Sequence, residues 1–389
     1  MVFLSVSTVV FQIGSAYVEA TKRNISVPAA ANVQNVAKSF DGVVELIRGG
    51  HLRAALDMTC QMLADIDQGP GMASHRTTHT VQSLQLWTLR EQLLLAVGNG
   101  AVCKLEMDKF TDLDAPDLRM EYYPETYPMK SGSLVPFALR IIHSEAPSFE
   151  MEYAESIKRF CLLIRQIEQI LHRLNTGMCI DHGVHPVAAD ASLIALWRKR
   201  HCDTRQAMAR VCVAQKDFDT ALSTYDSLST LTPLELSFAG RLCIQMGDST
   251  RAGQWFSRFN AECDQSCATM KSLACMHKGY LSVFYGNYSD ALLCFQMAVQ
   301  YDAENHQARN NIAVCQLYLG DLTSSSQTLN TQLSTHPVSA ISESLCTNLA
   351  TLYELSSAKS DAYKEQLLEK CCKYRGDAFA ATAFKLANA

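Results

Sequence analysis

The sequence lacks the features of a fibrous, nucleic-acid-binding or membrane-spanning protein. Only 10 of its 389 residues are proline and 18 are glycine, too few for a linker-rich or fibrous chain. Lysine and arginine number 34 against 39 aspartates and glutamates, so no excess of positive charge exists to neutralise a phosphate backbone. No run of about 18 residues or more, the length that a membrane helix needs, is apolar throughout. We therefore expect no nucleic-acid binding and no membrane span.

The sequence motifs of catalysis are missing as well. The chain contains no G-x-x-x-x-G-K-[ST] or G-x-G-x-x-G phosphate loop, no G-x-S-x-G nucleophile turn and no H-E-x-x-H zinc helix. Its carboxylates are spread along the chain, and no close pair stands in an otherwise apolar setting. We therefore predict a protein that is not an enzyme and that uses no cofactor.

Hydrophobic residues and cysteine, by contrast, are abundant. Hydrophobic residues make up 48% of the chain and charged residues 19%, so the chain can bury a sizeable core. The 15 cysteines are odd in number and scattered, mostly inside apolar helical patterns, as Cys294 and Cys315 are. Because reduced cysteine packs as a small hydrophobe, whereas secreted disulfide frameworks pair an even number in a short chain, this usage predicts a reducing compartment, the cytosol.

The first 37 residues differ from the rest. Residues Met1 to Val18 are fairly apolar, but no lysine or arginine precedes Lys22, so the positive start of a signal peptide is missing. We expect residues 1–37 to form a divergent N-terminal arm, to which the sequence assigns no function.

A repeated pattern is centred on several turn residues. Gly320 follows Gly286 by 34 residues, which is the period of the tetratricopeptide (TPR) repeat. Gly247 and Lys216 occupy the equivalent place in two further repeats, and Gly50 does so in a partial one. Three of these turns are followed after five residues by alanine and after nine by an aromatic residue: Ala221 and Tyr225, Ala252 and Phe256, and Ala291 and Phe295.

This pattern has a physical meaning. A turn residue ends the first helix of a pair, a small alanine lets the second helix cross it closely, and an aromatic ring fills the remaining gap. Pro233 and Pro337 lie 17 residues after their turn positions, where a second helix is expected to end. The spacing is 31 residues from 216 to 247 and 39 from 247 to 286, which predicts an extension around residues 261–271.

We therefore predict an all-α fold, a TPR-like α-solenoid of stacked antiparallel helix pairs. The solenoid is expected to be continuous over residues 38–389, with degenerate repeats over 38–190 and clearer ones over 191–389. It carries an inserted Tyr- and Pro-rich segment, residues 114–136, whose proline density forbids a regular helix.

One group of residues could hold zinc. Cys263, Cys267, Cys275 and His277 lie close together, and helical spacing would put the first two on one face. However, the group has no C-x-x-C pair and Cys275 has apolar neighbours, so packed or surface thiols are the simpler interpretation and we predict no metal site. Two histidine pairs lack an acidic or thiol neighbour and are expected to be loop or cap residues: His75 with His79, and His182 with His185.

The most basic segment runs from Trp197 to His201 and continues with Arg205 and Arg210. It could meet an acidic partner or an anionic lipid headgroup. The alternative, which we prefer, is a solvated helix face.

Residues 113–146 differ from an ordinary TPR repeat because the stretch from Glu121 to Pro128 is rich in tyrosine and proline. This segment resembles the hallmark of the family of subunit 12 of the transport protein particle (TRAPP) tethering complex. Further similarity to that family covers roughly residues 39–386, in particular residues 83–87, 196–198, 310–320 and 348–355.

The resemblance implies a non-enzymatic scaffold subunit of the TRAPP III complex, associated with large subunits 8, 11 and 13. That complex activates the Rab GTPase of early secretory traffic by nucleotide exchange and also serves autophagy, while the exchange chemistry belongs to the small core subunits. The resemblance further implies a cytoplasmic protein that is peripheral at membranes of the ER–Golgi intermediate compartment and the Golgi.

Tyr122, Tyr123 and Tyr127 are the residues that we predict to bind a partner. Exposed tyrosine combines apolar area with a polar tip, which suits a protein interface. The three are expected to line a partner-facing or intra-solenoid groove. The alternative is that they pack their own segment onto the solenoid.

A second hypothesis is a generic TPR adaptor or co-chaperone that binds peptide segments of its partners. Such co-chaperones hold a terminal carboxylate with lysine and asparagine at set positions of successive first helices. The corresponding positions here are Met276 and Tyr280, so that clamp is missing.

Overall fold

The structure is a computed structural model that describes residues 36–69, 78–176, 191–228, 231–264, 266–374 and 381–386. Over these ranges the chain forms helices and no β-strand, which confirms the predicted all-α class. None of the helices described is long and apolar enough to cross a membrane.

The α-helices are numbered in chain order. They are α1 (Phe40–Arg48), α2 (Leu52–Ala64), α3 (Val81–Ala96), α4 (Gly100–Met107), α5 (Phe137–Glu145), α6 (Tyr153–Asn175), α7 (Ala191–Ala214), α8 (Phe218–Asp226), α9 (Pro233–Met246), α10 (Ser249–Glu262), α11 (Ala268–Phe284), α12 (Tyr288–Tyr301), α13 (His306–Tyr318), α14 (Leu322–Thr335), α15 (Pro337–Ala340), α16 (Glu343–Ser356) and α17 (Ser360–Tyr374). Short 3-10 helices span Pro116–Leu118, Met120–Tyr122, Ala146–Glu150 and Ala381–Phe384.

The chain divides into two compact units. The N-terminal unit comprises Lys38–Val43 and Ala55–Ser229, and the C-terminal unit includes Val44–Ala54 and Thr230–Ala389. The single continuous solenoid over residues 38–389 stays a prediction.

The C-terminal unit is built from helix pairs joined at the predicted turn residues. Gly247, Gly286 and Gly320 end the first helices of three successive pairs with φ angles of +88°, +77° and +88°. This left-handed backbone costs glycine little, and it lets the chain reverse within two residues. The next residue is the N-cap of the second helix in two of the pairs, because the side chains of Asp248 and Asp321 each accept a hydrogen bond from the backbone N–H three residues on.

Two aromatic residues of the pattern, Phe256 and Phe295, lie over glycines of the first helix, which the sequence pattern did not predict. A Cβ atom at Gly240 would lie 2.3 Å from the ring of Phe256, and one at Gly279 would lie 2.5 Å from the ring of Phe295. Real Cβ atoms do not approach this closely. The two helices of these pairs therefore meet where a ring packs directly against a glycine of the first helix, together with a fully buried alanine.

The pair α13 and α14 shows how the pattern tolerates change. Ala313 takes the place of the glycine, and the smaller Leu329 takes the place of the ring. Ser325 replaces the small alanine, and its buried hydroxyl donates a hydrogen bond to the carbonyl of Ala313 at 2.7 Å. A degenerate repeat therefore keeps its packing when a larger side chain on the first helix is matched by a smaller one on the second. The new hydroxyl is tolerated because it has a hydrogen-bond partner.

The prolines lie at helix starts. The second helices α8 and α14 end at Asp226 and Thr335, before Pro233 and Pro337, as the pattern predicts. Each proline is then the first residue of the following helix, where a missing N–H has no cost. The predicted extension lies mainly at the start of α11, which has 17 residues where α13, the first helix of the next pair, has 13.

The helices of the N-terminal unit vary widely in length, and α4 has only 8 residues. Its α6 has 23 residues and α7 has 24, and the turn between α7 and α8 is made by Lys216 with a φ angle of +66°. The Tyr- and Pro-rich segment lies between α4 and α5 and contains no α-helix, as predicted. Its buried leucines join a core that includes residues from α3, α4 and α5, namely Leu84, Trp87, Leu94, Cys103, Met107, Leu118, Leu134 and Leu139.

Candidate partner-binding site

The candidate site is the Tyr- and Pro-rich segment of the N-terminal unit. The chain enters through two 3-10 turns and then doubles back on itself. The N–H of Met120 donates to the carbonyl of Gly132, and the N–H of Leu134 donates to that of Leu118, both at 2.9 Å. Leu118 and Leu134 are buried at this closure. The segment is therefore an ordered excursion that is closed at its base.

Arg140 of α5 holds the two ends of this excursion together. One of its terminal nitrogens, Nη2, lies 2.6 Å from the carboxylate of Asp114, 3.2 Å from the carbonyl oxygen of Leu113 and 3.0 Å from the hydroxyl of Ser133. Leu113 directly precedes the excursion, residues 114–136, Asp114 begins it, and Ser133 lies near its end. A single planar guanidinium thus bonds both ends of the excursion to helix α5.

A second set of polar contacts, centred on Glu121, also links the two ends of the excursion. The carboxylate of Glu121 accepts hydrogen bonds from Arg119 at 3.0 Å and from the N–H of Gly132 at 3.1 Å. A hydrogen bond from its own backbone N–H, followed by the one from Arg119, lowers the pKa of Glu121. Gly132 has a φ angle of +117°, a conformation open to glycine alone among the common residues.

Two of the three predicted tyrosines attach the excursion to α3. The hydroxyl of Tyr123 accepts a hydrogen bond from the N–H of His79 at 3.2 Å, and that of Tyr127 accepts one from the N–H of Val81 at 3.1 Å. Val81 is the first residue of α3, where backbone N–H groups have no partner within the helix. Both rings are half-buried against the core of the unit. Tyr123 and Tyr127 therefore pack the segment onto the unit, which is the alternative that we weighed for them.

Tyr122 is placed differently. Its side chain is 52% exposed, and its ring meets the ring of Tyr123 edge to face with centroids 5.1 Å apart. Met129, at the far end of the excursion, is fully exposed. Tyr122 thus has a ring that is supported on one side by a packed neighbour and open on the other. That combination of rigid support and accessible apolar area is typical of an interface anchor.

The basic segment is engaged within its own unit. The guanidinium of Arg200 lies 4.5 Å from the ring of Trp197 and 5.0 Å from the ring of Phe137, in cation–π range of both. The outer cations are paired too: Arg205 with Glu168 and Ser227, and Arg210 with Glu145. These contacts connect α7 to α5, α6 and the residue after α8. Arg198 and Lys199, between Trp197 and Arg200, are exposed, as the interpretation of a solvated helix face expects.

The three cysteines of the zinc candidate occupy different environments. Cys263 directly follows α10, Cys267 is exposed at the start of α11, and Cys275 is buried within α11. In the described part of the chain, no three His, Cys, Asp or Glu side chains are grouped so as to hold a metal ion.

His277, the fourth member of that candidate, is a core residue. Its Nε2 lies 2.8 Å from the hydroxyl of Ser237, and its ring stacks on Phe256 with centroids 4.2 Å apart. Burial, and secondarily Arg241, lowers the pKa of His277 to about 3, so the imidazole is neutral. Of the other candidate histidines, three lie outside the described residues: His75, His182 and His185.

One acid is buried in the N-terminal unit. Glu91 is fully buried beside the ion pair of Arg90 and Glu106, whose two parallel contacts measure 2.7 Å each. Burial, followed by the nearby Glu106 carboxylate, raises the pKa of Glu91 to about 9. The side chain is therefore protonated at neutral pH. Having no exposed surface, it belongs to the packing of the unit.

The positions of the co-chaperone clamp are also used for packing. Met276 is buried, and the ring of Tyr280 meets Phe295 with centroids 5.8 Å apart. The lysine and asparagine of that clamp are therefore replaced at these two positions by side chains that pack within the unit.

These repeats define the class of the protein: it is a TPR-like protein of antiparallel helix pairs. No model of a known protein family matches the chain. Among solved structures, a tetratricopeptide repeat protein from Parabacteroides merdae aligns with 78% of this chain and 96% of its own, at 13% identity and a TM-score of 0.42. A chain of the APC/C hetero-tetramer Cut9–Hcn1 aligns with 92% of this chain and 57% of its own, at 12% identity and a TM-score of 0.37.

Curated relatives give the family. Human trafficking protein particle complex subunit 12 is 34% identical over 363 residues, which cover 92% of this chain and 49% of the human protein. The mouse protein of the same name is 33% identical over 92% of this chain and 46% of its own. Over its aligned length the chain belongs to the family of trafficking protein particle complex subunit 12. It spans about half the length of these relatives.

Proposed function

We propose that this protein is a non-catalytic scaffold subunit of a TRAPP III tethering complex, supporting Rab GTPase activation in ER-to-Golgi transport and in autophagy. The similarity to subunit 12 over 92% of the chain carries this proposal. The TPR-like fold supports it, because stacked helix pairs offer extended surfaces that bind other proteins. In this proposal the exchange chemistry belongs to other subunits of the complex.

The proposed partners are other TRAPP subunits, especially the large subunits 8, 11 and 13. The link to the Rab GTPase is indirect, and the association with ER–Golgi intermediate and Golgi membranes is peripheral, through the complex. A non-catalytic role agrees with the candidate polar groups described above, because Arg200, His277 and Glu91 are all engaged in packing.

Within the predicted tyrosine triad, we assign the partner contact to Tyr122. Its ring is more than half exposed, whereas the hydroxyls of Tyr123 and Tyr127 accept bonds from the start of α3. In this assignment Tyr123 and Tyr127 hold the excursion in place, and Tyr122 together with Met129 presents apolar area to a large subunit.

The experiment compares tagged variants expressed in the protein's own cells, with mass spectrometry of the co-purified proteins and the melting temperature of each purified chain. Tyr122→Ser should reduce recovery of TRAPP subunits and leave the melting temperature unchanged, because an exposed ring adds little to folding. Tyr123→Ala with Tyr127→Ala should lower the melting temperature. Tyr374→Ser, at an exposed tyrosine of α17, is the matched control.

Full recovery of the subunits with Tyr122→Ser would overturn the assignment of the contact to Tyr122. Absence of every TRAPP subunit from the wild-type purification would overturn the scaffold function itself.

A further inference from the structure

The C-terminal unit exposes a second aromatic surface, at the edge where its first helices end. Five apolar residues flank the turns at Gly286 and Gly320, and we refer to them as the aromatic edge: Phe284, Tyr285, Tyr288, Tyr318 and Leu319. Tyr285 is 62% exposed and Tyr318 is 58% exposed. Tyr288 packs partly against the core of the helix pairs, whereas the other four residues of the edge are exposed.

Direct contacts between neighbouring helix pairs order two parts of this edge. The hydroxyl of Tyr285 donates to the hydroxyl of Ser249, at the start of α10, at 2.9 Å. The rings of Phe284 and Tyr285 meet edge to face at 5.2 Å. Further along, the ring of Tyr288 stacks on that of Tyr318 with centroids 4.5 Å apart and planes 1° from parallel. The rings are therefore held in position before any partner arrives, which lowers the entropic cost of binding.

The charge at this edge is negative. The three turn regions, residues 245–251, 284–290 and 318–324, contain the carboxylates of Asp248, Asp290 and Asp321 and one cation, Arg251. Asp321 is held ionised, because hydrogen bonds from the hydroxyl and then the backbone N–H of Ser324 lower its pKa. Phosphate groups of nucleic acid or of anionic lipid would be repelled here, whereas a cationic partner would be attracted.

Arginine matches both features of this surface. Its planar guanidinium stacks on the face of an aromatic ring and also binds carboxylates through paired hydrogen bonds. Tyr318 has one face covered by Tyr288, and its exposure leaves the other face open. Lysine, a strongly hydrated point charge, would gain the charge attraction with less of the stacking.

We propose that the aromatic edge binds an arginine-containing segment of a partner polypeptide, with guanidinium groups stacked on Tyr285 and Tyr318 and paired with the neighbouring aspartates. The proposal deepens the scaffold function and rests on it, because it names the chemistry of one partner. The surface is distinct in sequence and in unit from the Tyr122 site.

The test uses the full 389-residue chain and three fluorescent peptides of four repeats each, Arg-Gly, Lys-Gly and citrulline-Gly, in fluorescence anisotropy titrations at about 0.15 M salt. We expect the arginine peptide to bind about tenfold tighter than the lysine peptide, and the uncharged citrulline peptide to bind weakest. Tyr285→Ser combined with Tyr318→Ser should abolish the preference for arginine, while the control Tyr363→Ser should leave it intact.

Equal affinity for arginine and lysine peptides, or a preference that survives the double substitution, would overturn the proposal in favour of non-specific charge attraction. Sedimentation of the chain alone provides a second readout: a dimer that the double substitution dissociates would identify a second copy as the occupant and would equally overturn it. If the peptides fail to bind while TRAPP subunits still co-purify, the proposed binding at the aromatic edge is wrong and the proposed scaffold function is unaffected.

Discussion

The two units of this protein are stabilised in different ways. The pairs α9–α10 and α11–α12 meet through steric fit, in which a ring at Phe256 or Phe295 lies on a glycine of the facing helix. The Tyr- and Pro-rich excursion of the N-terminal unit depends instead on polar contacts, above all the guanidinium of Arg140 and the hydroxyls of Tyr123 and Tyr127. Regular repeats thus place complementary shapes at constant spacing, whereas an irregular insertion needs individual hydrogen bonds to satisfy its backbone.

The largest expected effect concerns the polar interior of the N-terminal unit. The folded chain keeps the proton of Glu91 up to about pH 9, whereas the unfolded chain releases it near the ordinary pKa of 4.5. Its contribution to stability is therefore complete below pH 4.5 and decreases as the pH rises toward 9. Glu91→Gln, a neutral isostere, should remove this dependence, which amounts to about 1.4 kcal/mol per pH unit at most.

The measurement is the free energy of unfolding by urea at pH 5 and at pH 8. The variant and the wild type should be similar at pH 5, and the variant should be the more stable at pH 8. Glu125→Gln, at an exposed position of the excursion, is the control and should follow the wild type. Parallel pH profiles of Glu91→Gln and wild type would show that Glu91 is ionised in the folded protein.

The second prediction tests the steric fit of the regular repeats. Gly279→Ala would put a methyl group 2.5 Å from the ring of Phe295, so the helices must separate or the ring must leave its place. The expected loss is about 3 kcal/mol, the upper part of the range for overpacking. Gly253→Ala is a matched control, because a Cβ there meets nothing within 4 Å, and it should be neutral or stabilise by about 0.5–1 kcal/mol.

Both variants are compared by thermal unfolding of the whole chain. An unchanged melting temperature for Gly279→Ala would mean that the close approach of ring and backbone does not hold α11 and α12 together.

The third prediction removes the polar closure of the excursion. Arg140→Met keeps the apolar stem of the side chain but loses the bonds to Asp114, Leu113 and Ser133. We expect a loss of about 2 kcal/mol, the range for hydrogen bonds to charged groups. Limited proteolysis should then cut residues 114–136 faster, while Arg165→Met, at an exposed arginine of α6, should leave the rate unchanged. An excursion that resists proteolysis equally in both variants would mean that its leucines alone hold it.

The smallest expected effect concerns a turn of the N-terminal unit. Lys216 has a φ angle of +66°, in the region that glycine occupies at the equivalent turns of the C-terminal unit. Lys216→Gly should stabilise the protein by at most about 1 kcal/mol, because the strain of a side chain in this conformation outweighs the greater freedom of glycine in the unfolded chain. Urea unfolding measures the change, and a destabilised variant would show that the lysine side chain contributes contacts that offset its strain.

The regular repeats were the part of the fold that the sequence predicted well. Alanine and an aromatic residue follow the turn at constant distances along the chain, as Ala291 and Phe295 do. Such constant spacing can be recognised in the sequence alone. Gly240 and Gly279 were missed, although a signal was present: each lies seven residues before its turn glycine and sixteen before its ring. A search for residues that face the aromatic position would have found them.

The candidate site was predicted only in part, for a physical reason. The tyrosine hydroxyls bond to backbone groups 44 and 46 residues away, and Arg140 bonds to Asp114 across 26 residues. No local periodicity specifies such distant polar partners. Composition therefore singled out Tyr122, Tyr123 and Tyr127 as a group, and the fold was needed to separate the exposed ring from the two that pack. In the basic segment, the fold was likewise needed to separate Arg200, which lies over two aromatic rings, from the exposed Arg198 and Lys199.

The proposed assembly of this protein with other TRAPP subunits can be tested by quantitative purification of the tagged wild-type chain from its own cells. Mass spectrometry would measure the molar ratio of each co-purified protein to the tagged chain. If the chain is a scaffold subunit, large and small TRAPP subunits should be recovered in near-equal molar amounts to it. Recovery of chaperones alone, or of no partner, would contradict it and leave a TPR-like adaptor with other partners.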